Sequence, residues 1–580
     1  MEFKVVTDLK DLPTFNLAEP TFADIETDGL YINIRLIQLF QPTASEIVYI
    51  LDIDDIDLEE AKAFIKPLWT IWQGASYDFG TLNMVTDRFD DIMYLSRSAY
   101  PQFMDFDLAS LVIKFGLGNL YAHLDKKAMQ KAGFVKGAYL SHAQLEYSAI
   151  DVYALSKIWE DSNIQKCREL LAYKVDILSM KYAIEYQQNG LEVNQEKVAE
   201  EKAKLIGAMA KNSAILNAVP VPTWWSEGDK PKWWPKSDYT FENWTGVNSN
   251  SYQKVRAALK SHESDKNALI QIVSEGGARG KLAKAIFDQR RLIKRESMLN
   301  SYDFPKVYTR FNVAGAVTGR FTATGKDLPR GINSQQITRN LQYLFNYDTE
   351  GYTVIEADFG TAELRAACSI MKEPVMYAEL KAGIDLHKVS ASMATGKPIE
   401  EITKEDRTKG KAVSFGFIFG MSAKTFQEYA FVNYDVVFSL AECVAIKKKY
   451  QEHYPAIAKY HNEAWNGYKK PSHVVSTALG RRAKPKLGTD AINIPTQGTI
   501  GETTKLAIHY AVQEDERILK YIYNVVHDQI NIRVPTKEVD YWRELLVRNM
   551  QKGWTEICKC KIMHYKDIEM PVDAEHSQTA

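Results

Sequence analysis

A chain of 580 residues exceeds what one hydrophobic core can hold, so two or more domains are expected. Its 45% hydrophobic and 25% charged content is ordinary for a soluble globular protein. A net charge of −2 excludes nucleic-acid binding by overall charge, so any such partner has to be held by local basic patches. The candidates are RRLIKR (290–295), KKK (447–449) and GRRAKPK (480–486), each of which alone reads more simply as a solvated face. The five cysteines, Cys167, Cys368, Cys443, Cys558 and Cys560, are too scattered for a disulfide framework, and Cys558-Lys559-Cys560 reads as reduced thiols rather than zinc ligands. No apolar run is long enough to span a bilayer and MEFKVVTDLK carries no apolar leader core, so a soluble, cytoplasmic protein without membrane partners is expected.

The first acidic motif is TFADIETDGL (21–30), which puts Asp24 and Glu26 two apart on a predicted strand, on one face. Like charges that close raise each other's pKa unless a cation sits between them, so the pair is a metal-site candidate; an exposed acidic edge strand is the alternative. GASYDFGTLN then offers Asp78 at a loop or helix start, and LEYSAIDVYAL offers Tyr147 and Asp151 one helical turn apart. This ordered set, DxE, a mid-domain Asp and YxxxD, resembles the 3′–5′ proofreading exonucleases of the RNase H-like class. The resemblance implies that Asp24, Glu26, Asp78 and Asp151 hold two Mg²⁺ or Mn²⁺ ions and that Tyr147 orients the attacking water.

From about 165 to 215 the pattern is helical, with one helix ending at Asn189-Gly190 and another following LEVN. Trp224, Trp225, Trp233, Trp234 and Trp244 then crowd a Pro- and Lys-containing segment without amphipathic period. A stacking platform or partner surface is one reading; a small satellite core propping a loop is the preferred one. NSNSYQKVRAAL and the helix-forming 281–302 resemble the two arms of the thumb of family A DNA polymerases, with Arg and Lys facing phosphates.

Thr318-Gly319-Arg320 and Asn333 to Gln336 follow, resembling the TGR and LQN segments of that family with looser spacing and Thr338 in place of proline. Arg320 suits phosphate or base edges, and Arg339 similar work. In TVIEADFGTAELRAACSI (353–370) a β-prone run delivers Asp358 to its carboxyl end, and a helix starting near Thr361 carries Glu363 and Arg365. DFGTAELR resembles motif A. The likeness implies Asp358 and the Phe359 carbonyl as metal ligands and Glu363 as the wall that excludes a ribose 2′-OH, with Phe-Gly-Thr departing from the usual Tyr-Ser-Gln. That departure leaves adenine and a modified purine such as 2-aminoadenine as alternative substrates.

GIDLHKVSASMATG carries His387, in the family a contact to the incoming phosphates. DRTKGKAVSFGFIFGMS places Arg407, Lys411 and Phe415 at i, i+4 and i+8 on one helical face, two cations for a triphosphate and a ring for the base. This resembles motif B, with Phe419 where tyrosine is usual. TALGRRAKPKLGTDAINIPTQGTIGETTKLAI resembles the return to the palm, with Arg481, Asn493 and Gln497 as template or primer contacts. In YIYNVVHDQINIRV two β-runs flank a tight hairpin with Asp528 at its tip, resembling motif C; His527 would lie near the primer end, and Gln529 stands where glutamate is common and is not counted as a ligand.

The implied fold is a multidomain α/β protein, an RNase H-like exonuclease domain (1–170) followed by a right-hand polymerase domain (171–580). Its thumb is placed at about 190–305, palm at about 306–380 and 480–580, and fingers at about 381–479. The implied enzyme is a template-directed DNA polymerase with proofreading, using two Mg²⁺ (Mn²⁺ also serving) at each site, with primer-template DNA and dNTPs as partners and Lys411, with Arg407, offsetting the charge that develops. Absence of room before Asp24 for a 5′-nuclease domain and the compact length suggest a bacteriophage replicative enzyme, monomeric, with a processivity or replisome protein as a further partner. A single-subunit RNA polymerase and a catalytically silent DNA-binding scaffold are the alternatives; Glu363, Phe415 and the complete set of acids weigh against them.

Overall fold

The computed structural model describes residues 1–29, 33–103, 105–125, 133–220, 245–326 and 328–576. The tryptophan cluster, Trp224 to Trp244, lies outside the described residues.

The N-terminal unit is built on a mixed sheet of β1 (Glu2–Val6), β2 (Pro20–Thr27), β3 (Ile34–Phe40), β4 (Ile47–Asp52), β5 (Trp69–Trp72) and β6 (Arg88–Asp91), in the order β1-β4-β3-β2-β5-β6. Every residue of β3, IRLIQLF, is buried, as a strand covered on both faces requires. β2 runs antiparallel to β3 and parallel to β5, which puts its two acids well inside the sheet rather than on an edge. Around it lie α1 (Ser76–Leu82), α2 (Ile92–Ala99) and α3 (His142–Trp159), the last started by a reciprocal Ser141–Gln144 cap. Helix α4 (Leu171–Tyr186) then leads out, and Gly190, at φ 63°, makes the turn that a side chain would resist. One apolar cluster runs without a break from Val6 through Tyr173 and Tyr186 to Ile568 and Met570, so the N-terminal unit and the rest of the chain share a core.

The next helices, α5 (Gln195–Asn217) and α6 (Gly277–Asn300), have their own apolar cluster, including Leu216, Leu269, Ile286 and Phe287. The sequence reading had the cations of α6 facing phosphates. Two of them are instead engaged inside: Arg290 donates to the carbonyls of Ser249 and Ser264 at 2.7 and 2.6 Å, and Arg295 pairs with Glu201 at 2.5 Å. The lysine run is likewise occupied, Lys447 on the Met421 carbonyl at 2.9 Å, Lys449 on that of Met393 at 3.3 Å, and Lys448 beside Glu452 at 3.8 Å.

The second sheet consists of β7 (Tyr352–Phe359), β8 (Ile522–Val526), β9 (Gln529–Pro535) and β10 (Val572–His576), antiparallel, in the order β8-β9-β7-β10. The apolar run before Asp358 is therefore the strand expected, and the two-residue link His527-Asp528 is the expected hairpin tip. After β7 come α7 (Ala362–Met371), α8 (Leu386–Thr395), α9 (Lys404–Ile418), α10 (Ala423–Tyr434), α11 (Pro455–Gly467), α12 (Gly488–Glu514) and α13 (Val539–Lys559). Most of α12 is buried all round, and Pro495 lies within it. A Cβ on its Gly498 would stand 2.6 Å from the Thr318 carbonyl, and one on Gly501 3.0 Å from the Arg320 side chain. These glycines let the helix lie directly on the Thr318-Gly319-Arg320 turn. No helix among the described residues is long and apolar enough to cross a membrane.

Candidate active sites

In the ladder of β7 with β9, Asp358 lies opposite Gln529, which sets Asp528 beside it at the hairpin tip. His527 takes φ 57° to make that turn and remains exposed. Burial raises the Asp528 carboxyl to about 7, and the neighbouring Asp358 and Glu363 add to the rise. Asp358 keeps part of its surface in solvent, yet loss of hydration within the cleft lifts it to about 6; Arg339 opposes and Asp573, its partner across the β7–β10 ladder, reinforces. Gln529 is turned away, its amide donating to Glu356 at 2.9 Å and Asn531 at 2.7 Å. Phe359 is buried at the end of β7, opposite Val572.

Helix α9, capped by Thr403 and Asp406, is linked to this pair through Arg339, whose charge acts on both Asp358 and Lys411. Arg407, Lys411 and Phe415 lie along one half-buried face, and Arg407 reaches Asp385 at 2.6 Å. Burial lowers the Lys411 ammonium, and Arg407 and Arg339 lower it further. Three cations that repel one another define a place for a polyanion. His387 is packed inside rather than exposed at the start of its helix. Its ring is buried between α8 and α9, within hydrogen-bond distance of Ser414 Oγ at 3.1 Å, and burial holds its pKa down at about 4. Its ring centre lies 5.3 Å from that of Phe415, which makes it a support for that ring.

Glu363, in the first turn of α7, is gripped by Arg320 at 2.5 Å. Phe419 is buried at the end of α9, while the hydroxyls of Tyr429 and Tyr434 lie 3.5 Å apart and near enough to Glu363 that its charge raises both. Two phenols from α10 thus stand near the carboxylate in place of one from residue 419. Asn493 and Gln497 lie one turn apart and half-buried on α12. Arg481 is a correction: it is buried in an ion pair with Asp176 of α4, which also takes Lys505 at 2.6 Å, so no charge is left for a template. Lys505 in turn donates to the Gly319 carbonyl at 2.6 Å and pins the turn that carries Arg320.

A second acidic centre lies on the N-terminal sheet. Carboxylate oxygens of Asp24, Glu26 and Asp151 all fall within 4.8 Å of one another, a spacing that could hold a metal ion. Burial, then Asp151, lifts Asp24 to about 8; Glu26 is held high by burial, Asp24, Asp151 and Asp78, and Asp78 by burial and Asp24. Three of the four acids taken from the sequence therefore meet in one place and Asp78 lies near enough for its charge to act on Glu26, with Tyr147 raised by burial and by Asp151 and Glu26. Tyr121, which no motif indicated, donates to Asp151 and sets its ring 6.0 Å from that of Tyr147.

Residues 245–577, more than half of the chain, match the model of DNA polymerase family A. The chain belongs to that family. Similar relatives include DNA polymerase I of Aquifex aeolicus, 34% identical over 273 residues covering 47% of this chain and 45% of that protein. The DNA polymerase of Bacillus phage SP01 is 27% identical over 253 residues, 40% of this chain and 27% of that protein. The chain thus spans less than half the length of these relatives. Among solved structures, the POL domain of Pol1 from M. smegmatis, in complex with DNA primer-template and dNTP, superposes with a TM-score of 0.70 at 18% identity, covering 96% of this chain and 94% of that one. That likeness concerns the fold. The acidic cluster of the N-terminal sheet lies outside the residues that match the family model.

Within the family A segment, sequence reasoning missed residues whose only signal is spatial. Asp573 comes from an edge strand too short to stand out, and Tyr429 and Tyr434 sit on a helix with no motif. Lys505 follows a run of threonines and glycine that gives no amphipathic period.

Proposed function

We propose that the protein is a template-directed DNA polymerase that adds dNTPs to a primer 3′-OH and carries a 3′–5′ exonuclease that edits it. The observation that carries the first half is the Asp358–Asp528 pair, side by side where β7 meets the β8–β9 hairpin and linked through Arg339 to the cations of α9. Two neighbouring carboxylates, the charge of Asp358 raising that of Asp528, fit hard divalent cations such as Mg²⁺. When bound there, such ions would activate the attacking hydroxyl and neutralise the departing oxygen. Arg407 and Lys411 bind the triphosphate, and Phe415, propped by His387, packs against the base. Glu363, held by Arg320, fills the space beside the sugar, so a 2′-OH meets a side chain that cannot yield. The primer oxygen then bonds to the α-phosphorus in line as the bond to pyrophosphate breaks. For the second half, Asp24, Glu26, Asp78 and Asp151 form the donor set for divalent ions, Tyr121 fixes Asp151, and Tyr147 orients water at a 3′ end. Similarity to a phage polymerase supports a role in phage genome replication.

Extension of a labelled primer with Mg²⁺ and either dNTPs or rNTPs tests this reading. It predicts extension with dNTPs and little with rNTPs. Preferential use of rNTPs would make the protein an RNA polymerase, and no extension with either would make it a scaffold. In the same preparation, Asp24→Ala is expected to abolish degradation of single-stranded DNA from its 3′ end while sparing extension; unchanged degradation would remove the nuclease assignment.

A further inference from the structure

The second sheet carries more negative charge on one face than the Asp358–Asp528 pair accounts for. On β7, Glu356 and Asp358 are two apart and point to the same side, and across the ladder to β10 they stand opposite Glu575 and Asp573. Like charges directly opposed on neighbouring strands repel. Arg339 offsets part of this at Asp358 and Glu356. On the β9 side Asp358 faces Gln529, whose amide is spent on Glu356 at 2.9 Å and on Asn531 at 2.7 Å. A carboxylate at position 529 would stand against Glu356, so that flank of Asp358 is held neutral. The β10 flank is acidic instead. Asp573 is exposed there, and no described residue gives its carboxylate a hydrogen bond or an ion pair.

An acidic edge strand can serve simply to keep a second chain from pairing with the sheet. That purpose needs only a charge somewhere on β10, and a lysine would meet it without repelling Asp358. It also leaves unexplained how firmly the approach to β10 is seated. The Gly360 amide donates to the Pro571 carbonyl at 2.8 Å, and a Cβ on Gly360 would stand 2.8 Å from Pro571 Cγ, so only glycine lets the two segments close. Arg365 of α7 bridges them, from Nε to the Gly360 carbonyl at 2.9 Å and from Nη1 to the Glu569 carbonyl at 2.6 Å. Trp554 of α13 adds a bond from its indole N–H to the Ile568 carbonyl at 2.6 Å. Residues 568–571, and with them Asp573, are thereby fixed at the end of β7 that carries Asp358. A carboxylate placed this closely beside another, with no described cation paired to it, favours a cation taken from solution.

We propose that Asp573 is the third carboxylate of the polymerase cation site, standing on the side of Asp358 away from Asp528 and strengthening by its charge the hold of that site on a hard divalent ion. The inference rests on the polymerase reading above and deepens it by making β10 part of the site. Asp573 acts as a positioning residue: it sets how readily the ion is taken up rather than the rate once the ion is bound.

A Mn²⁺ titration of the full chain, followed by the electron paramagnetic resonance signal of free Mn²⁺, tests it. Asp24→Ala with Glu26→Ala is the background, which removes the ions of the N-terminal cluster, and primer-template DNA is present without dNTP. Asp358→Asn in that background should abolish the binding and so locates it. Asp573→Asn is expected to weaken it about tenfold, Asp573→Glu to leave it within about threefold, and Glu575→Gln, the same loss of charge further along the ladder, within about threefold. Primer-template affinity unchanged in each variant shows that it is folded. With dNTPs added, the Mg²⁺ concentration for half-maximal extension should rise about tenfold in Asp573→Asn, while the rate at saturating Mg²⁺ stays within about threefold of the background. Unchanged Mn²⁺ affinity in Asp573→Asn, an equal loss in Glu575→Gln, or the lack of any Mn²⁺ binding that Asp358→Asn removes would each overturn the proposal. Failure of the polymerase reading shows separately, as absence of dNTP incorporation by the wild type at every Mg²⁺ concentration, and the Mn²⁺ titration then still decides the part of Asp573.

Discussion

Glu363 is held by charge, in an ion pair with Arg320 that leaves both side chains less than a fifth exposed. Phe419 cannot donate a hydrogen bond, and Tyr429 and Tyr434 approach from another helix. Selection against ribonucleotides is therefore expected to depend on Arg320 as well as on Glu363. Steady-state insertion of rNTP against dNTP should show Glu363→Ala raising ribonucleotide use at least about tenfold, or about 1.4 kcal/mol. Arg320→Ala should move the ratio in the same direction; an unchanged ratio in both variants would deny the gate. Lys411→Met is expected to lower kcat on the order of 10²-fold to 10³-fold, as loss of a preorganised charge does. Glu363 and Lys411 were legible from motif spacing. The Arg320–Glu363 pair was not, because it joins two motifs that local pattern treats separately. The burial of His387 was not legible, because a helix-start histidine looks exposed until the packing of α8 on α9 covers it.

At the scale of elements, β2 stores electrostatic strain. Asp24 titrates near 8 in the fold against a usual value of 3.8, so between those limits the folded protein holds protons that the unfolded chain has released. Stability of the metal-free protein accordingly falls as pH rises across that window, and the raised Glu26 and Asp78 act in the same sense. Divalent cations that bind the deprotonated cluster should raise Tm more at pH 8 than at pH 6, measured by calorimetry. Asp24→Asn should raise the metal-free Tm at pH 8 and shrink the gain from Mn²⁺; a gain unaffected by pH and by the substitution would show that ions do not bind there. The strand, the hairpin and α9 were readable because each has a clear period. Helix α12 was not: buried on all sides, with Pro495, Gly498 and Gly501 inside, it shows neither amphipathic stripe nor helix-favouring composition. The edge strand β10 was equally hidden, being short and partly charged.

Across the whole molecule, the N-terminal unit and the polymerase segment are joined by buried charge as well as by a shared core. Asp176 accepts from both Arg481 and Lys505, and Lys505 holds the Gly319 carbonyl, so α4, α12 and the Arg320 turn are tied at one point. Asp176→Ala would leave two buried cations without their partner and is expected to cost about 3–5 kcal/mol, seen as a lower urea midpoint with the slope retained. Such a tie holds the frames of the two acidic centres together. The sequence carried the order of the two acidic centres along the chain, but a pairing between an unremarkable helix and a presumed DNA contact has no local signature. The account rests above all on Asp358 and Asp528 acting together at the primer end. Single-turnover primer extension by Asp528→Asn in Mg²⁺, with primer-template affinity measured alongside, tests it most directly. The expected result is a rate lowered at least about 10³-fold, or about 4 kcal/mol, at unchanged DNA affinity; extension at close to the wild-type rate would contradict it.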